Sequence, residues 1–184
     1  MTKISSYAAV TPVGTDLLIG TDTSASDATK NFTVDSIVNY GQGLRSYINY
    51  FDYSSNSTTT ISSAATWYKL NSNTTQGYSQ DGLTHTNNRI TYGGATTKVF
   101  AVQAIVSVNG TNNDNVSFAF FKNGSIVPCS EQDGILPSGS KNIAVPVQCL
   151  VELSTNDYVE VWVNNQSAGH DVTLAHLNVV VNQM

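Results

Sequence analysis

Residues 97–108 alternate without a break. Phe100, Val102, Ala104, Val106 and Val108 form one wholly apolar set, and Val99, Ala101, Gln103, Ile105 and Ser107 form a mixed one. Successive side chains of an extended chain point to opposite faces, so a period of two predicts a half-buried strand rather than an amphipathic helix. The pattern recurs downstream. Residues 116–122 make another strand candidate, closed by Asn123-Gly124, two residues that tolerate positive φ and favour a tight hairpin. Residues 125–129 are expected to return antiparallel, and residues 131–140, with Gly134, Pro137 and Gly139, are expected to form a loop. Residues 143–153 are apolar but contain Pro146, which marks an edge strand or a bulge because proline has no N–H to donate. Residues 158–164 and 172–181 complete the series, with shorter strands expected at 58–61, 66–70 and 89–92. No long helical pattern intervenes, so the expected fold is all-β, an antiparallel β-sandwich.

The first 49 residues read differently. Residues 13–22 are an apolar burst between Gly-Thr-Asp elements, and Thr33 or Asp35 is placed to cap a short helix that Gly41 ends. Residues 44–50 suggest a further helical turn. This stretch is too short and too thinly apolar to bury a core of its own. Two regions are therefore expected: an N-terminal arm, 1–49, and a sandwich domain, 50–184.

Composition narrows the function. Charged residues are 11% of the chain, against about 25% in a typical domain, so Asn, Thr and Ser carry the polarity, as suits β surfaces and turns. The net charge is −5, and the eight basic residues are scattered. Nucleic acid and anionic membranes are not expected partners. No apolar run reaches the ~20 residues that span a bilayer, and residues 1–7 lack the apolar core of a secretory signal. The expected site of synthesis is the cytoplasm, without passage through a secretory route.

Catalytic chemistry is not legible. His85, His170 and His176 have no metal-ligand spacing, Glu131 and Asp133 do not fit a calcium loop, and no nucleotide-binding or nucleophile motif occurs. No catalytic residue, metal or cofactor is expected. Cys129 and Cys149 both lie in apolar strand-like stretches, which leaves buried free thiols and a cross-strand bridge both open.

The aromatic residues point to assembly. Phe118, Phe120 and Phe121 put rings on both faces of one strand, and Ile105 puts an apolar side chain on the second face of another. A sandwich strand has one core face, so the other needs a cover. Copies of the same chain are the simplest one. The expected core and trimer-interface set is Phe100, Ile105, Phe118, Phe120, Phe121 and Trp162.

Several segments together resemble a known family. Trp67-Tyr68-Lys69-Leu70, Asn88 through Tyr92, Val99 through Val102, Phe118 through Gly124 and Asp157 through Val163 are similar, in order and spacing, to the C1q/TNF-type jelly roll. The likeness spans residues 50–184 and implies a ten-stranded sandwich that assembles as a homotrimer. The collagen stalk common in C1q proteins has no counterpart, because no Gly-X-Y repeat occurs. The first region resembles an N-terminal segment found in tailed-phage virion proteins, carried by Ile4, Gly14, Thr15, Asp16, Leu17, Leu18, Phe32, Val34 and Ile37, with Tyr7 where leucine is usual. That resemblance implies attachment to a phage particle through these residues. The chain has no long shaft or β-helix pattern. The expectation is a capsid decoration (cement) protein or short head fibre on the outer surface of the virion, bound to the major capsid protein or another virion protein. The alternative is a receptor-binding knob that recognises a host glycan through loops near Tyr78 or Gly134.

Overall fold

The computed structural model describes Val13, Thr15, residues 17–22 and 28–35, Ile37, and residues 45–184 apart from Ser140. The chain divides into two compact units, residues 1–44 and 45–184.

In the first unit, β1 (Leu17–Asp22) pairs antiparallel with β2 (Ala28–Thr33), from Leu17 opposite Thr33 to Asp22 opposite Ala28. The apolar burst is thus a strand of a hairpin. Val34, Asp35 and Ile37 are helical, directly after Thr33. Gly41, the expected helix stop, lies outside the described residues.

The second unit contains β3 (Tyr47–Asp52), β4 (Thr58–Thr59), β5 (Trp67–Lys69), β6 (Thr75–Gln80), β7 (Leu83–His85) and β8 (Arg89–Tyr92). It continues with β9 (Lys98–Gly110), β10 (Asn115–Lys122), β11 (Ser125–Ile126), β12 (Gln132–Ile135), β13 (Ile143–Leu153), β14 (Tyr158–Asn165) and β15 (Val172–Gln183). One sheet runs β13-β9-β15-β3-β6, with β4 also on β15. The other runs β11-β10-β14-β8-β7, with β12 on β10 and β5 on β14. All pairings are antiparallel. The apolar set of β9 faces inward with Ile48, Tyr50, Val179 and Val181. It packs on Val116, Phe118 and Phe120 of β10, Val159, Val161 and Val163 of β14, and Ile90 and Tyr92 of β8, all buried. Tyr92 meets Phe100 edge-on at 5.0 Å, the favoured geometry for aromatic pairs.

Three local expectations are corrected. Of the expected helical turn at 44–50, Leu44 lies outside the described residues and residues 45–50 are not helical. Tyr47–Asp52 is strand β3, whose buried Ile48, Tyr50 and Asp52 alternate with Tyr47, Asn49 and Phe51. Residues 131–140 are not all loop, because β12 pairs with β10 from Gln132 to Ile135. The return strand after Asn123-Gly124 ends at Ile126, and Pro128–Ser130 is a 3-10 turn. Pro128 lacks the N–H that a continued ladder needs. Pro146 sits in β13, an edge strand of its sheet.

β15 carries a β-bulge between Leu174 and His176. Leu174 and Leu177 are three residues apart, so unbroken alternation would send one of them outward. The extra residue, Ala175, lets both face the core, and both are buried. Deleting Ala175 is expected to leave the fold intact with a regular β15, because Leu174 and Leu177 would then stand two apart and residues 176–183 would keep their faces. Deleting the regularly paired Asn178 should instead turn Val179 and Val181 outward and abolish folding. Circular dichroism and soluble yield distinguish these outcomes.

The hairpin turn at Asn123-Gly124 is tied to the β13–β14 turn. Asp157 accepts from Asn123 Nδ2 at 2.6 Å and from the backbone N–H of Ser154 at 2.8 Å, and pairs with Lys122 at 2.9 Å. The Lys122 contact foremost, then the Ser154 N–H and Asn123, hold its carboxyl at about 2. A carboxyl depressed in the folded state stabilises above its unfolded pKa and loses that contribution as pH falls. The contribution should be complete above about pH 4 and gone near pH 2. Asp157→Asn should cost about 1 kcal/mol at pH 7 and flatten the stability profile across that window, as followed by urea unfolding.

Candidate oligomer interface

Register places the second face of the β13-β9-β15-β3 sheet in rows. One row reads Pro146, Ile105, Asn178, Phe51. The next two read Gln148, Gln103, Val180, Asn49 and Leu150, Ala101, Asn182, Tyr47. Shorter rows flank them: Ala144, Ser107 and His176 at one end, Glu152 and Val99 at the other. Glu152 is the single formal charge in these five rows.

This face is apolar where a solvated sheet face would be charged. Ile105 is 55% exposed and Leu150 58%, with Val99, Tyr47 and Phe51 close to 40%. Full burial of one such side chain is worth about 1.5–3 kcal/mol, so leaving five in water is costly. Ile105 forms a ridge between two depressions. One, of about 550 Å³, is bounded by Phe51, Tyr53, Ser107 and His176. The other, of about 320 Å³, is bounded by Pro146, Gln148 and Val180. A ridge flanked by hollows can interlock with a second such surface, and the uncharged Gln and Asn side chains between the apolar positions carry no charge repulsion into that contact. His176 Nδ1–H donates to the carbonyl of Tyr53 (2.6 Å), which fixes the rim of the larger hollow.

The second face of the other sheet is covered by its own chain. Phe121 is buried, stacked on Trp162 at 4.4 Å and tilted against Trp67 at 5.4 Å. Glu160, buried beside them, accepts from Lys69 at 2.7 Å, from Arg89 Nε at 2.8 Å and from Trp162 Nε1 at 3.2 Å. Burial pushes its carboxyl up, but these three donors outweigh burial and hold it below the ordinary range. Arg89 also lies over the Tyr158 ring at 3.7 Å.

The residues singled out from sequence therefore separate. Phe100, Phe118 and Phe120 are core, Phe121 and Trp162 belong to the self-covered cluster, and Ile105 stands on the open face. In the first unit Leu17 and Ile37 are exposed, as is Thr15, while Phe32 and Val34 are half-buried. Leu18 pairs with Phe32 in the hairpin. Ile4, Gly14 and Asp16 lie outside the described residues. Tyr78 is 83% exposed on β6, whereas Gly134 lies in β12, with Ile143 and Val145 against its Cα. Tyr47, Phe51 and Leu150 were not singled out, although their place opposite the buried set of each strand was a readable signal.

The histidines are apart. His170 Nδ1 meets Asp114 at 2.9 Å, and His85 Nε2 meets Thr74 at 2.8 Å. Among the described residues no three His, Cys, Asp or Glu side chains gather as a metal set, and no helix is long and apolar enough to cross a membrane. Cys129 is exposed in the 3-10 turn and Cys149 half-buried in β13, both as free thiols. Burial first, then the neighbouring Cys129 thiol, push Cys149 up to about 12. At pH 8 a thiol of pKa 12 has about 1 part in 10,000 as the reactive thiolate. Maleimide at pH 8 is expected to label Cys129 and spare Cys149 until denaturant is added, as read by intact mass.

No protein-family model matches the sequence, and no curated protein matches it. Solved structures match the second unit's architecture. Murine APRIL at pH 5.0 superposes with a TM-score of 0.54 at 10% identity, over 76% of this chain and 99% of that one. Eiger TNF from S. frugiperda gives 0.52 at 11% identity, over 76% and 93%. PRD1 vertex protein P5 gives 0.47 at 12% identity, over 75% and 95%, too loose a match to argue from. The fold is a TNF-like antiparallel jelly roll.

Proposed function

We propose that this chain is a non-catalytic structural protein of a phage particle. In this reading it is a homotrimer built through the open face of the β13-β9-β15-β3 sheet, and it is held to the major capsid protein or another virion protein by the part of the 1–49 arm that precedes β3. The observation that carries the assembly half is the run of exposed Ile105, Leu150, Phe51, Tyr47 and Val99 on a face with one formal charge. A closed ring of three lets each copy offer its ridge to the neighbour's hollow, so every copy is covered and no open-ended fibre grows. The trimer is also what the C1q/TNF-type resemblance implies. The virion half rests on the N-terminal resemblance, and the exposed Leu17 and Ile37 of the first unit are available for attachment. A short arm and one knob suit a decoration protein or a short head fibre on the outer surface of the shell. Such a protein needs mechanical stability rather than turnover, and burying this face in three copies supplies it.

Light scattering on the full chain tests the assembly. Three copies of 19.7 kDa give about 59 kDa, the expected mass. Ile105→Lys combined with Phe51→Ser should yield a folded monomer with unchanged far-ultraviolet circular dichroism. A wild-type monomer at tens of micromolar would overturn the proposal.

A further inference from the structure

A polar cleft of about 390 Å³ lies between the β5–β6 connection and the β7–β8 turn, within the about 300–1,000 Å³ of typical ligand sites. Lys69, Ser72, Asn73, His85, Asn87 and Asn88 line it. None of these residues belongs to the five rows of the open sheet face.

The cleft is built, and its donors and acceptors can be assigned. Asn88 Nδ2 donates to the Ser72 carbonyl at 2.7 Å, which fixes its amide, so its Oδ1 accepts the Thr74 hydroxyl proton at 2.5 Å. The Thr74 oxygen is 2.8 Å from His85 Nε2 and has no second proton, so Nε2–H donates and Nδ1 remains an acceptor. His85 is stacked on Tyr50 at 4.7 Å, and burial lowers its pKa, which keeps the ring neutral. Asn87 and Asn88 both hold positive φ, 52° and 59°, a conformation that asparagine accepts more readily than most residues.

Several groups remain unused. Ser72 Oγ is buried with no hydrogen-bond partner. The side-chain amides of Asn73 and Asn87 have none either among the described residues. A lining of this kind disfavours an apolar guest, because amides and hydroxyls left unpaired under it lose their water without replacement. Charge excludes anions as the preferred guest. Lys69 is the one cation of the lining, and its charge is already paired with Glu160 at 2.7 Å, with a second ammonium proton given to the Asn87 carbonyl at 2.7 Å. What remains is a neutral guest with several hydroxyls, able both to donate and to accept.

We propose that this cleft binds a neutral sugar ring. Asn73 and Asn87 offer amide donors and acceptors to ring hydroxyls, and His85 Nδ1 accepts. The site is separate from the loops near Tyr78 and Gly134.

Saturation-transfer NMR on the full chain tests it with D-glucose, D-galactose, D-mannose and N-acetyl-D-glucosamine as neutral probes. N-Acetylneuraminic acid and D-glucose 6-phosphate serve as anionic ones. Transfer to at least one neutral sugar is expected, and little to the anions. Asn73→Ala removes an exposed amide, and Asn87→Gly removes the other while keeping the positive φ. Each should weaken binding about tenfold at unchanged melting temperature, the loss expected for one well-made hydrogen bond. Transfer to none of the neutral sugars, stronger transfer to the anions, or binding unaltered in both variants would overturn the proposal. Because these variants leave the sheet face intact, light scattering reports the trimer independently of either result.

Discussion

The register of β9 is the constraint on which the second unit depends. This strand is hydrogen-bonded along both edges, to β13 and to β15, for most of its length. A slip of one residue would exchange Phe100, Val102 and Val106 with Val99, Ala101 and Ile105, moving the core set into water. The bulge at Ala175 exists to keep β15 in step with it. The same register sets the composition of every row on the open face, so the core and the open face are two readings of one alignment.

The two outer faces solve their exposure differently. On the β10–β14 side, Phe121, Trp162 and Trp67 cover one another, and Glu160 is surrounded by three donors that offset the cost of burying its charge. On the β9–β15 side nothing from the described chain lies over Ile105 or Leu150. One sheet covers its own second face, and the other leaves its second face bare. Apolar residues on both faces of a strand do not by themselves say which case applies. Phe121 and Ile105 look alike in the sequence, and one is covered from within while the other is bare.

Much of the fold was legible because the long strands bury one face and alternate cleanly. β9, β10, β14 and β15 each show an apolar period of two or a continuous apolar run, and Asn123-Gly124 marks the tightest hairpin. The short elements were not legible for the same physical reason. β6 is mostly exposed and has no apolar face to signal it, and β12 contains Gly134, which reads as a loop but is needed where the side chains of Ile143 and Val145 press against the chain. The start of β3 falls in residues 44–50, expected to be a helical turn, and its alternation is masked because both faces carry apolar or aromatic residues while one inward position is an aspartate. Asp52 is tolerated there because it accepts from the backbone N–H groups of Ser54, Ser55 and Asn73. The polar cleft was invisible, since its residues are separated in sequence and resemble the Asn- and Ser-rich turns found throughout the chain.

The sequence alone determined the all-β class, the inward set of each long strand and the poverty of charge, because hydrophobic periodicity and composition are local properties. Tertiary structure decided which second faces are covered, how the histidines are partnered, and that residues 69–74 and 85–88 form one cleft. Those outcomes depend on which strands become neighbours and in what register, and pairing between distant segments is set by the packing of the whole sandwich rather than by any one stretch of chain.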